Sequence, residues 1–301
     1  MFFLFTVYGV VSAYLPIMLR GIGYSLSQVG ILMGIFEVAG LVFPLAMGSL
    51  VEKKGNYGVP MLLLAFLLMI IPLPMIGLKG FWVTSICLSL YAIGYKGSVP
   101  VVDSFTNRLL GENRNNYGKI RVAGSIGFVM TTLLLQFFGN SKSSTLFEYQ
   151  LWFIIPGSLY TISIFFVPKV FKTDSKEVAT KLEYHNVSTD NSKFSSRYWI
   201  GVMLIFLSFL GLTPATKLFS LYVTEFLNSN MAPALWALSA ASEIPFMFFS
   251  GRFIKKFGSF GLIIFCTGTV VLRMILYILF PSIFGAILGQ LLNSITYGLF
   301  H

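Results

Sequence analysis

The chain has 301 residues, of which 56% are hydrophobic and only 11% are charged. This composition excludes a water-soluble domain of that length and indicates a polytopic membrane protein. The net charge of +10 does not indicate nucleic-acid binding, because the basic residues fall in loops between apolar runs, where they orient a membrane protein.

Ten apolar runs are long enough to cross a bilayer, since about 20 apolar residues span the hydrocarbon core as a helix. We predict helices at 2–19, 28–50, 58–77, 81–105, 119–138, 150–168, 197–222, 231–253, 259–280 and 282–300. The sequence thus predicts an all-α bundle with a six-helix N-terminal unit (1–168), a central loop (169–196) and a four-helix C-terminal unit (197–301).

The basic residues predict the orientation of these helices. Alternate loops hold fifteen Lys and Arg residues, whereas the other loops hold three. Because positive charge concentrates on the cytoplasmic side, the N-terminus and the central loop are expected in the cytoplasm. In the basic hairpin at 100–128, Gly124, Ser125 and Gly127 open the second helix and should allow a neighbouring helix to approach closely.

The chain contains an internal repeat at a constant offset of 203 residues. The segment Gly48–Gly55 (GSLVEKKG) aligns with Gly251–Gly258 (GRFIKKFG), and glycines match at both ends. The offset predicts a second half that ends near residue 371, about 70 residues beyond this chain, which is room for two more helices. The expected complete plan is six plus six helices, of which this chain carries about ten.

Three motifs make the chain resemble the major facilitator superfamily. They are Gly48–Gly55, Asp103 with the segments 111–114 (GENR) and 117–121 (YGKIR), and 297–301 (YGLFH). The chain looks most like the phenylpropionate-permease-like and sugar- or nucleoside-proton-symporter-like branch. This resemblance implies a monomeric transporter in the bacterial cytoplasmic (inner) membrane, with neither a cofactor nor catalytic or metal-binding residues.

Ionisable side chains inside a span are costly, so each one is a candidate functional residue. Glu37 and Glu243 each lie ten to twelve residues into a predicted helix. Burial favours the neutral form of a carboxyl, so either could load and release a proton. Arg273 is the expected partner of Glu243, and His301 is a further proton-coupling candidate. The alternative is a static ion pair that holds helices together.

Lys217, Lys96 and Asp103 are the candidates for substrate binding. Lys96 and Asp103 are seven residues apart and share a helical face, so they are expected to neutralise each other in part. Pro214 predicts a broken helix just before Lys217, and broken helices often line transporter cavities. The alternatives are that Lys217 reaches the outer interface and that Asp103 is a packing residue. The sign of the substrate's charge stays open.

A conformational latch is expected at the cytoplasmic ends of the helices. Its candidate residues are Gly48, Glu52, Lys53, Gly55 and Arg121. The two glycines would allow close backbone approach, and the carboxylate would lie beside a helix terminus and basic partners.

The sequence therefore predicts a proton-coupled transporter that moves a small organic solute by alternating access, with an aromatic acid, a sugar or a nucleoside as substrate. Its expected partners are the solute, protons and the lipid bilayer. No enzyme motif is present, since the chain has neither a phosphate-binding Gly-Lys-Ser/Thr loop nor His-Glu-x-x-His. The alternative is a non-transporting membrane protein, namely a sensor, a scaffold or an inactive truncated transporter.

Overall fold

A computed structural model describes residues 1–54, 57–78, 80–111, 117–139, 145–166 and 196–300. Every regular element in these ranges is helical, which confirms the all-α prediction. The helices are α1 (Phe2–Gly21), α2 (Leu26–Lys54), α3 (Gly58–Ile70), α4 (Pro72–Gly77), α5 (Phe81–Leu110), α6 (Tyr117–Phe138), α7 (Leu146–Phe165), α8 (Ser196–Lys217), α9 (Ala232–Leu279) and α10 (Ile283–Phe300). A helical turn (Phe219–Leu221) and a π-helical turn (Tyr222–Phe226) lie between α8 and α9.

Six segments of the described chain are long and apolar enough to cross a membrane. They are Phe2–Gly21, Gly58–Gly77, Phe81–Leu110, Ile120–Phe138, Tyr198–Lys217 and Phe260–Leu279. Two shorter apolar helical stretches, Leu26–Leu41 and Ile283–Thr296, accompany them. These spans make the chain an integral membrane protein, whereas the total of ten spans stays a prediction.

Helix α1 is buried along most of its length and packs against α6 and α7. The small residues of α6 allow this approach. A Cβ at Gly124 would lie 2.8 Å from Phe5 Cδ2, and a Cβ at Gly127 would overlap the Phe2 carbonyl oxygen. The expected close approach at the start of this helix is therefore confirmed, with α1 as the neighbour.

Helix α7 begins at Leu146, four residues earlier than predicted, because Thr145 and Glu148 form a capping box. The Glu148 amide donates to Thr145 Oγ1 at 3.2 Å, and the Thr145 amide donates to Glu148 Oε2 at 2.9 Å. Both donors would otherwise be unsatisfied at the start of the helix. The predicted span 58–77 is also divided, since α3 ends at Ile70 and Pro72 begins α4.

The two helices predicted at 231–253 and 259–280 follow each other without the loop that was expected between them. Helix α9 covers both, and its only non-helical residue is Gly258, with φ 68° and ψ 160°. A positive φ is accessible to glycine without steric cost, so this residue allows the chain to turn between two helical halves. Gly258 closes the second copy of the repeat, while its counterpart Gly55 lies outside the described residues.

A helix break lies next to Lys217, but it follows this residue, whereas Pro214 predicted a break before it. Helix α8 contains Pro214 and ends at Lys217, and Leu218 has the non-helical angles φ −114° and ψ 2°. Proline disturbs the hydrogen bonds of its own helical turn, and here the helix ends three residues later. Lys217 is thus the last residue of α8 before the break.

Candidate functional site

Three charged side chains from three helices meet inside the bundle. Lys96 of α5 donates a hydrogen bond to Glu37 of α2, with an Nζ–Oε2 distance of 3.1 Å. The other oxygen, Glu37 Oε1, lies 2.6 Å from the Nζ of Lys217 in α8. We call these residues the lysine–glutamate cluster. It joins helices of both predicted units and has two positive charges and one negative.

Local features of α2 and α8 position this cluster. A Cβ at Gly40, one turn beyond Glu37, would overlap Lys96 Cγ, so the glycine leaves a path for the lysine stem. The side chains of Glu37, Lys96 and Lys217 are 33%, 30% and 25% exposed. Because a charge that faces lipid at this depth is costly, we take their exposed surface to face the interior of the bundle.

Three packed aromatic rings lie beside the cluster. The Tyr95 ring centroid lies 5.9 Å from Lys96 Nζ. Tyr95 stacks on Tyr8 with a centroid distance of 3.9 Å, and Phe36 lies 5.4 Å from the Tyr95 centroid. The Tyr8 hydroxyl donates to the Tyr95 carbonyl oxygen, which holds the two rings in register. Tyr95 and Phe36 are buried, so these rings pack on one another and give the Lys96 ammonium a cation–π neighbour.

A second polar cluster lies between α9 and α10. The Asn293 side-chain amide donates from Nδ2 to Glu243 Oε1 at 2.7 Å and to Ser239 Oγ at 2.6 Å. Arg273 NH1 donates to the Oδ1 of the same amide. Glu243 and Arg273, predicted as partners, are therefore linked through Asn293. We call Glu243, Asn293 and Arg273 the amide-bridged cluster.

Neutral groups complete the surroundings of Arg273, which has no exposed surface. Its NH2 donates to Gln290 Oε1 at 3.0 Å, and its Nε donates to the Tyr277 hydroxyl at 2.9 Å. The Tyr277 ring fits against α10 because residue 289 is glycine, where a Cβ would overlap that ring. A buried charge is tolerated when it is hydrogen-bonded, and each of the three nitrogens of this guanidinium donates one hydrogen bond.

The sequence reasoning missed Asn293, Gln290, Ser239 and Tyr277. A signal for them was present, because Gln290 and Asn293 are three residues apart in an otherwise apolar helix, and Tyr277 lies one turn after Arg273. Residues at these spacings share a helix face. A polar face on an apolar helix is expected to meet another polar group across the bundle.

Asp103 lies apart from the lysine–glutamate cluster. Its Oδ1 is 3.7 Å from Arg121 NH1 of α6, and the Arg121 guanidinium lies 4.4 Å from the Phe5 ring centroid. The expected neutralisation of Lys96 by Asp103 is therefore wrong, because Lys96 reaches Glu37 of α2 instead. A shared helix face allowed the contact, but the neighbouring helices supplied a different partner to each residue.

Several predicted residues cannot be placed with their side chains. Gly48, Glu52 and Lys53 belong to α2, but their side chains are outside the described part of the chain. Gly55 and His301 lie outside the described residues altogether. Arg121 is the one latch candidate with a described side chain, and its ion-pair partner is Asp103.

Further contacts connect α1 of the first predicted unit with the second predicted unit, at the end of α1 opposite the central loop and at its middle. Arg20 Nε of α1 donates to Glu225 Oε1 of the π-helical turn at 2.6 Å. The Ser220 hydroxyl donates to the Ser12 carbonyl oxygen at 3.1 Å and accepts from Trp236 Nε1 at 3.0 Å. These contacts hold α1 against the segment that follows α8.

Among the residues that the structure describes, no group of three or more His, Cys, Asp or Glu side chains lies together in a way that could hold a metal ion. The polar chemistry of the described interior therefore consists of ammonium, guanidinium, carboxylate, amide and hydroxyl groups.

The family model described as the MFS_1-like family matches residues 1–301. The chain belongs to the MFS_1-like family. This major-facilitator chain is 26% identical over 205 residues to a Bacillus subtilis (strain 168) protein named "Uncharacterized transporter YwbF". The alignment covers 67% of the chain and 49% of that relative, so it spans about half the relative's length.

Solved transporters have the same fold as this MFS_1-like chain. A crystal structure of the nucleoside transporter NupG gives a TM-score of 0.74 at 15% identity, over 99% of this chain and 78% of that one. The D-xylose-proton symporter gives 0.65 at 15% identity, with coverage of 99% and 77%. At this identity the likeness establishes the fold, which confirms the predicted major-facilitator bundle.

Proposed function

We propose that the protein is a proton-coupled secondary transporter that moves a small organic solute by alternating access. The observation that carries the proposal is the lysine–glutamate cluster, where Lys217 of one predicted unit pairs with Glu37 of the other, 2.6 Å apart. Charges placed between two units are where a transporter that rocks those units is expected to bind its solute. The named relatives, a nucleoside transporter and a sugar-proton symporter, support the same class.

The two units are residues 1–168 and 197–301, and the loop 169–196 is cytoplasmic. The protein acts as a monomer in a bacterial inner membrane, with its N-terminus in the cytoplasm. The hydrogen bond Arg20–Glu225 joins the units near the predicted outer end of α1, and Ser220–Ser12 joins them at the middle of that helix. A bundle held together at its outer end supports a conformation closed to the outside.

The proton is carried by Glu243. Its Oε1 accepts from a neutral amide, Asn293, which can remain in contact with either the carboxylate or the carboxylic acid. Arg273 is held by the other end of the same amide and by Gln290. Protonation of Glu243 therefore removes a negative charge beside Asn293. The same Asn293 side chain also contacts the buried guanidinium of Arg273.

The experiment measures uptake into proteoliposomes that contain the purified protein. Radiolabelled aromatic acids, sugars and nucleosides are supplied with an imposed proton gradient, and the pH change that accompanies uptake is recorded. We expect Glu243→Gln to abolish uphill, gradient-driven accumulation and to spare downhill exchange of preloaded solute. Glu148→Gln is the matched control, because glutamine preserves the capping box at that exposed position.

Two results would contradict the proposal. A folded Glu243→Gln protein that still accumulates solute against its gradient would overturn the proton-carrier role of Glu243. Absence of uptake for every solute in the panel would favour the other reading, a non-transporting sensor or scaffold. A purely structural role predicts a different phenotype, since removal of one partner from a buried charged network costs about 3–5 kcal/mol and would deplete the protein from the membrane.

A further inference from the structure

The lysine–glutamate cluster has an unbalanced charge. Lys96 and Lys217 bring two ammonium groups, and Glu37 brings one carboxylate, so the three side chains together leave one positive charge. A net charge at this depth in a membrane protein is costly and needs a counter-ion. One monovalent anion would bring the cluster to neutrality, whereas a neutral solute would leave the excess charge in place.

The distances between the two lysines and Glu37 indicate which anionic group fits between the ammonium groups. Each Glu37 oxygen meets a different lysine, Oε2 at 3.1 Å from Lys96 and Oε1 at 2.6 Å from Lys217. The two ammonium groups are thus spaced to bracket a single carboxylate. Charge-assisted contacts of this kind are strong and short.

The residues around the cluster hold its two lysines in place. Gly40 leaves the room in which the Lys96 stem crosses α2, and Lys217 ends α8 at the helix break. About a quarter to a third of each charged side chain is exposed, so the three groups are accessible from outside the cluster. The buried Tyr95 ring, stacked on Tyr8, lies 5.9 Å from Lys96 Nζ and helps to fix the position of this lysine.

We infer that the transported solute is a monocarboxylate whose carboxylate binds Lys96 and Lys217 in competition with Glu37. The inference rests on the proposed function, because it names the substrate class of the same interior site. Glu37 occupies the lysines in the absence of solute and so avoids two unpaired ammonium groups in the membrane. The arriving carboxylate shares or takes over these contacts, and its charge brings the cluster to neutrality.

The inference has a specific consequence for Glu37. If this residue contacted the solute directly, its removal would weaken binding. As a competitor for the lysines, it should instead limit the affinity, so that Glu37→Gln binds a monocarboxylate more tightly. Lys96→Gln and Lys217→Gln should both weaken binding, since each leaves a single lysine that is already neutralised by Glu37.

The test is equilibrium binding to purified protein in nanodiscs of zwitterionic lipid, where no anionic headgroup can fill the site. Isothermal calorimetry compares acetate, benzoate and 2-naphthoate with the corresponding neutral amides. For the carboxylate that binds the native protein most tightly, we expect Glu37→Gln to lower Kd by at least about tenfold and either lysine variant to raise it by at least about tenfold. Glu148→Gln, at an exposed cap, should leave Kd unchanged.

A second variant protects the test against misfolding. If Glu37→Gln does not fold, Glu37→Asp retains the charge but draws the carboxylate back by one methylene, and it should also bind the carboxylate more tightly than the native protein. The inference is overturned if no carboxylate binds, if an amide binds as tightly as its carboxylate, or if the folded Glu37 variant binds more weakly than the native protein.

Uptake measurements separate this inference from the proposed function. Uptake of neutral solutes alone, with no effect of carboxylates, would retain the transporter and overturn the monocarboxylate site. Carboxylate binding with the expected variant pattern, but without uptake of any solute, would retain the binding site and overturn the transporter.

Discussion

At the scale of single residues, the buried Arg273 depends on acceptors that carry no charge. It donates to the Asn293 amide, the Gln290 amide and the Tyr277 hydroxyl, and it has no exposed surface. Two of these acceptors, Gln290 and Tyr277, make no hydrogen bond to Glu243 in the described part of the chain, whereas Asn293 bonds both Arg273 and Glu243. Each acceptor therefore contributes to stability, because a buried donor that loses its partner has no water to replace it.

We expect Tyr277→Phe to destabilise the protein by about 1–3 kcal/mol, since it removes the acceptor of Arg273 Nε and leaves the ring in place. Thermal unfolding in detergent measures the effect. The matched control is Tyr198→Phe, where the side chain is 49% exposed at the start of α8. Equal melting temperatures for the two variants would show that the hydroxyl of Tyr277 does not support Arg273.

At the scale of elements, the packing of α10 on α9 is decided by small residues. Gly289 lies against the Tyr277 ring, whereas Gly30 of α2 has no atom within 4 Å of a Cβ placed on it. Both positions are inside helices, so an alanine has the same intrinsic benefit at each. The difference between them is only the neighbour that the new methyl group meets.

Gly289→Ala should therefore destabilise the protein by about 1–3 kcal/mol, because the methyl group overpacks the contact and displaces the Tyr277 ring. Gly30→Ala should be neutral or stabilising by about 0.5–1 kcal/mol, as expected for an unobstructed helix position. Paired thermal unfolding curves test both. The packing argument fails if Gly289→Ala melts at or above the temperature of Gly30→Ala.

At the scale of the whole molecule, an ion pair joins Arg20 of the first predicted unit to Glu225 of the second, and the two side chains are 36% and 35% exposed. Exposed pairs contribute only about 0–1 kcal/mol to stability. A contribution of that size still matters when two conformations differ by a few kcal/mol, because it changes their populations. The pair is thus placed to bias the opening of the predicted outer side.

We expect Arg20→Glu, which sets two carboxylates against each other, to shift the population toward a form with separated outer ends. Spin labels at Leu26 and Met231, both exposed, report this separation as a longer distance. The labelling uses a background in which the buried Cys87 and Cys266 are replaced by serine.

The charge-swapped variant Arg20→Glu with Glu225→Arg is the control for that measurement, because it restores an opposite-charge pair at the same place. We expect it to return the distance distribution to that of the labelled parent. If the single and the swapped variants give the same distribution, the ion pair does not bias the opening.

The sequence by itself determined the membrane location, the all-helical class and the break beside Lys217, because apolar length, the distribution of charge and the restrictions on proline act along the chain. It also indicated which buried charges to consider. Only the tertiary structure decided their partners, as Lys96 meets Glu37 rather than Asp103, and Asn293 comes between Glu243 and Arg273. Helix periodicity tells which residues share a face, but a partner across the bundle depends on how neighbouring helices pack.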